Sequence, residues 1–145
     1  MEKPYVVGID IGGTNTVFGV VDAKGNVIAC DSIKTCAYEK ADDYIDDVCK
    51  HLLPLIIANG GIEKIKGIGI GAPNANYYTG NIEFAANLPW KGIIPLAEMF
   101  KERLGVPVAV TNDANAAAIG EMIYGAARGM KDFIMITLGT GVGSG

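Results

Sequence analysis

The chain has 145 residues, 50% of them hydrophobic and 19% charged, with a formal net charge of −4. That composition buries a core and excludes a disordered tail. The lack of a basic stretch argues against a protein held to nucleic acid through phosphate contacts, although backbone amides can bind small anions without net positive charge.

The first apolar run, residues 5–9, ends at Asp10 and reads as a buried strand. Gly12, Gly13, Thr14 and Asn15 form a turn signal, and strands are predicted over 16–21 and 27–33, joined at Lys24-Gly25-Asn26. A helix follows. Asp42 and Asp43 suit its first turn, and Tyr44, Ile45, Val48, Cys49, Leu52 and Ile56 recur at helical spacing. Pro54 is expected to kink it or end it early. Residues 65–70 read as a strand ending in Gly71-Ala72-Pro73, and 74–94 as a loop. A short helix is predicted over 95–104, stopped by Gly105, then a strand over 106–111 and an alanine-rich helix from Asn112-Asp113 to about 127. The last strand is predicted over 132–138, before a glycine-rich end in which Gly139, Thr140 and Gly141 alternate. The order β-β-β-α-β-α-β-α-β implies a mixed sheet with helices on both faces.

Nothing in the chain nears the roughly 18 apolar residues of a membrane-spanning helix, and the first five residues lack the apolar centre of a signal peptide. Cys30, Cys36 and Cys49 are odd in number and form no CxxC pair. Free thiols in a reducing cytoplasm are expected.

Three segments carry chemistry. In Asp10-Ile11-Gly12-Gly13-Thr14-Asn15, glycines let backbone amides approach a phosphate and Thr14 adds a hydroxyl. Asp10 beside a phosphate makes sense with a cation between them, and Mg²⁺ prefers one or two carboxylates plus phosphate oxygens. A bare DxGG is more often a turn whose Asp bonds its own loop. In Asn112-Asp113, a carboxylate at the end of a strand opens a helix, where open α/β sheets bind ligands. Asp113 could accept a hydroxyl proton and Asn112 orient the substrate, or one of them could simply cap the helix. Gly139-Thr140-Gly141 suggests a second phosphate cradle; it is neither a P-loop nor a Rossmann fingerprint. The two glycine segments are candidates for related hairpins from two similar halves. Glu121 reads as a solvated charge, Trp90 as a core or rim anchor, and His51 as an ordinary helix residue.

Together these segments resemble the ROK family of bacterial sugar kinases, which includes many glucokinases. The resemblance implies an α/β, actin/hexokinase-like (ribonuclease H-like) fold, with residues 1–130 as the N-terminal domain and 131–145 as the start of a second. It implies that Gly12, Gly13, Thr14, Asn15, Gly139, Thr140 and Gly141 bind the phosphates of ATP, that Asp10 holds Mg²⁺, and that Asp113 is the general base. Asn112, Asn87, Gly71 and Pro73 are implied at the sugar site. Asn74 stands where the family usually has glycine, which bears on sugar preference. The expected partners are a small sugar and ATP, with neither nucleic acid nor membrane, in a cytoplasmic enzyme that is a homodimer at full length.

The family's further sugar ligands, zinc-binding cysteines and adenosine pocket fall beyond Gly145. The chain is therefore expected to be the N-terminal half of such an enzyme, with little kinase activity of its own and an exposed last strand prone to self-association. The alternatives are a sugar-responsive repressor or non-catalytic sensor of the same family, and another actin-like ATPase. The repressors carry an added N-terminal DNA-binding domain, for which a first strand beginning at Tyr5 leaves no room.

Overall fold

The computed structural model describes residues 2–139 and 141–145. Its centre is a five-stranded sheet in the order β3-β2-β1-β4-β8. Strands β1 (Tyr5–Ile11), β2 (Asn15–Asp22) and β3 (Val27–Lys34) form an antiparallel meander, while β4 (Ile65–Ala72) and β8 (Val108–Asn112) extend it in parallel. Alternation decides the two faces. Val7, Ile9, Ile11, Phe18, Val20, Ile68 and Ile70 point into the core, where helix α1 (Ala41–Ala58) and helix α2 (Leu96–Leu104) cover them. Arg103 of α2 ties the two helices, its Nε donating to Asp46 at 2.6 Å and its Nη2 to Asp42 at 3.0 Å.

The opposite face is paved with small residues. Gly8 pairs with both Gly19 and Gly69, so three adjacent strands present hydrogen atoms there. Helix α3 (Asp113–Tyr124) lies on this side, and a methyl placed on Gly71 would sit 3.3 Å from Ala116. Glycine at that position lets the helix lie close to β4. The mixed sheet with helices on both faces is thus present, as the pattern of the sequence predicts.

Pro54 does not end α1 early; the helix runs four residues past it. A proline inside a helix costs about 3 kcal/mol. Here it lies on the exposed side, as does Lys50, whose carbonyl water can satisfy. The buried stripe of Tyr44, Ile45, Val48, Leu52 and Ile56 continues through it. Each large aliphatic side chain buried there contributes roughly 1.5–3 kcal/mol, so the stripe outweighs the proline.

The stretch expected to be a loop contains a small sheet in the order β5-β6-β7: β5 (Ala75–Asn76), β6 (Asn81–Glu83) and β7 (Ile93–Ile94). Strands this short leave too few alternating positions to read as a pattern. Trp90 is a core residue, 4% exposed, with its ring 4.4 Å from that of Tyr44. Its Nε1 is buried without a hydrogen-bond partner among the described residues. Glu121 is more than a solvated charge: its Oε2 accepts from Ala126 N at 2.7 Å and closes the end of α3, which stops at Tyr124 rather than near 127. His51 is an ordinary helix residue, its Nδ1 2.9 Å from the Asp47 carbonyl.

The final strand is shorter than expected and has a partner. β9 (Ile136–Leu138) pairs antiparallel with β10 (Val142–Ser144), making the second glycine segment a hairpin like the first. Ile136, Leu138 and Val142 are 61%, 81% and 79% exposed, in keeping with the expected lack of cover. Among the described residues, no helix is long and apolar enough to cross a membrane.

Candidate functional site

The carboxyl ends of β1, β4 and β8 converge at one end of the sheet, and each delivers part of a cleft of about 380 Å³. From β1 come Asp10 and the turn glycines Gly12 and Gly13. From the β4 end come Pro73 and Asn74, and from β8 and the start of α3 come Asn112 and Asp113. Asn87 closes one side, and the β9–β10 hairpin closes another with Gly139 and Gly141.

The first turn is built by close backbone approach. Gly12 N donates to Asn15 O at 2.9 Å, and a methyl on Gly12 would lie 2.8 Å from that same oxygen. A methyl on Gly13 would lie 3.1 Å from the Asn87 carbonyl. Behind the turn is a buried hydroxyl cluster that the sequence reading missed. Thr16 Oγ1 lies 2.8 Å from Thr35 Oγ1 and 2.6 Å from Tyr44 Oη, and Thr35 N donates to Thr14 O at 2.9 Å. The available signal was Thr16 occupying an inward position in register with Phe18 and Val20. Burial pushes the Tyr44 phenol upward, against the lowering effect of its bond to Thr16.

Asn112 caps α3. Its Oδ1 accepts from Ala114 N at 2.9 Å and Asn115 N at 3.4 Å. This fixes the amide's orientation, and its Nδ2 makes no hydrogen bond among the described residues. Asp113 Oδ1 accepts from Ala114 N at 2.9 Å, leaving Oδ2 for a ligand. The capping and substrate-orienting roles of Asn112 are therefore compatible, since they use different atoms. Asp10 has its carboxyl pushed above the usual aspartate value, first by burial and then by the charge of Asp113.

Not every expected residue lines the cleft. Gly71 lies under the first turn of α3, where its missing side chain admits Asp113 and Ala116. Thr14 and Asn15 are exposed and outside the lining. Thr140 lies outside the described residues. Asn74, the departure from the family pattern, adopts φ 52°. That left-handed conformation favours glycine, and asparagine tolerates it better than most residues do.

The pair of neighbouring carboxylates in a cleft lined by glycine loops fits a hard dication shared with phosphate oxygens. Asp10, whose carboxyl is disfavoured as an anion by its surroundings, is the residue such an ion would relieve. Among the described residues, no group of three or more His, Cys, Asp or Glu forms a cage for a metal.

Residues 6–145 match the sequence profile of the ROK family. The chain belongs to the ROK family. It is 38% identical to a glucokinase of Streptomyces coelicolor over 96% of this chain and 42% of that protein. The solved structure of a ROK family glucokinase from Streptomyces griseus, in complex with glucose and AMPPNP, superposes with a TM-score of 0.81 at 36% identity, covering 97% of this chain and 43% of that one. The xylose repressor of Bacillus spizizenii is 30% identical over 97% of this chain and 36% of its own length. This ROK chain therefore has the fold of the family's glucokinases and spans less than half the length of the curated relatives it matches.

Proposed function

We propose that this chain supplies the phosphate-binding turns and the general base of an ATP-dependent hexose kinase. One observation carries the reading: the carboxylates of Asp10 and Asp113 and both glycine hairpins line a single cleft. Glucokinase relatives favour a glucose-like substrate.

In this reading Asp113 Oδ2 accepts the proton of a hexose hydroxyl as its oxygen bonds to the γ-phosphorus and ADP departs. Asn112, held by its cap bonds, donates from Nδ2 to the sugar. The backbone amides of Gly13 and Gly141 face the phosphates in this reading, while Gly12 N and Gly139 N donate to Asn15 O and Gly141 O, both at 2.9 Å, and close their turns. Asp10 would hold Mg²⁺, which when bound offsets phosphate charge. Positioning and electrostatics of this kind account for most of the catalysis of phosphoryl transfer. Closure of a second lobe over the cleft would exclude water and limit ATP hydrolysis. The 145-residue piece alone is expected to turn over little. ATP as donor accords with a cytoplasmic setting.

The test is product mass spectrometry on the native-length polypeptide with MgATP and a panel of hexoses and N-acetylhexosamines. A hexose phosphate appearing with ADP is the expected result. Inorganic phosphate alone would indicate a different actin-like ATPase. Tight sugar binding without any sugar phosphate would overturn the kinase reading in favour of a sensor or repressor.

A further inference from the structure

Asn74 joins two walls of the cleft. Its Nδ2 donates to the carbonyls of Glu83 and Phe84, at 3.2 and 3.3 Å, and its own carbonyl accepts from Glu83 N at 3.0 Å. These bonds hold the turn after Pro73 against the end of β6. At that point the chain reverses through Phe84, itself left-handed at φ 53°, with Phe84 N donating to Gly92 O at 2.9 Å. Beyond Phe84 the chain runs through buried Ala85 to Asn87, whose carbonyl lies against Gly13. The amide of Asn74 therefore anchors the start of the segment that sets where Asn87 stands over the phosphate turn.

We infer that Asn74 is a positioning residue that fixes the width of the cleft between Pro73 and Asn87, and with it the fit of the sugar. Glycine at this position supplies the left-handed backbone but cannot supply the two amide bonds. The inference rests on the hexose-kinase reading for what fills the cleft, but the clamp itself does not.

Two substitutions separate backbone from amide in the native-length polypeptide. Asn74→Gly keeps φ and removes the donor; Asn74→Asp keeps the shape and sets a carboxylate against two carbonyls. Sugar affinity is read by calorimetry with glucose, turnover by coupled assay, and the segment itself by amide hydrogen exchange at residues 84–88.

Asn74→Gly is expected to speed exchange at 84–88 and weaken glucose binding about three- to tenfold, the usual effect of a lost hydrogen bond. The kcat at saturating sugar should stay within about twofold, because Asp113 is not displaced. Asn74→Asp should weaken binding further. Unchanged exchange in both variants would overturn the clamp. Faster exchange with unchanged glucose affinity would overturn its role in sugar fit. Faster exchange in a protein that binds none of the hexoses and N-acetylhexosamines would leave the clamp standing, remove its link to sugar fit and refute the hexose-kinase reading.

Discussion

The two glycine hairpins that reach the cleft share local chemistry and differ in everything behind it. The β1–β2 hairpin stands on Ile11, Thr16 and Phe18, each at most 1% exposed, and is pinned from behind by Thr35. The β9–β10 hairpin has three-residue strands whose large side chains face outward. Its support from the described residues is the first turn of α3, where Gly143 and Gly145 lie against Ala114. In the proposed kinase a loop that presents amides to a phosphate gains from preorganisation, and among the described residues the first hairpin receives more of it than the second.

The sharpest way to break this comparison is to add one methyl to each turn. Gly12→Ala places carbon 2.8 Å from a carbonyl that the tight turn cannot move. It should cost about 1–3 kcal/mol, the range for forced overpacking. Gly139→Ala meets no described atom within 4 Å and should cost less than about 0.5 kcal/mol. Denaturant unfolding of both variants reads the difference; equal losses would mean the first hairpin is no better supported than the second.

A smaller effect is expected from Thr16→Val, which keeps the shape of the buried position and removes its hydroxyl. Tyr44 and Thr35 then lose a shared partner, at a cost of about 1–2 kcal/mol. Thermal unfolding should fall by several degrees. A neutral substitution would show that the cluster does not brace the turn.

The smallest effect concerns Asp10. Its carboxyl is raised in the folded chain, so the folded state favours the protonated form. The stability this lends is complete below the usual aspartate value and is lost as pH rises through the raised one. At neutral pH the charge therefore opposes folding, and Asp10→Asn should raise Tm. The gain should vanish near pH 3. A lower Tm at pH 7 would contradict the assigned direction.

What was legible in the sequence follows from range. The glycine turn after β1 and the start of α3 at Asn112-Asp113 are legible because turn and cap chemistry are local. The sheet order follows from alternating elements. The passage of α1 through Pro54 depends on which side faces water, which the position of the proline alone does not reveal. Strands β5, β6 and β7 offer two or three residues each, below what alternation can register. The Asn74 clamp spans nine and ten residues to its carbonyl partners and has no sequence signature. The family resemblance implies Gly71 at the sugar site; that its missing side chain also admits the first turn of α3 depends on a contact 45 residues away along the chain, with Ala116, which no local pattern shows.

The central claim is that Asp113 removes the hydroxyl proton in a cleft otherwise built for phosphate. The most direct test is the rate of sugar-phosphate formation by Asp113→Asn in the native-length polypeptide at saturating sugar, beside the sugar affinity of the same variant. The account predicts a loss of about 10²- to 10⁴-fold in turnover, with affinity changed only a few-fold. A variant that binds sugar normally and turns over at the unsubstituted rate would contradict it.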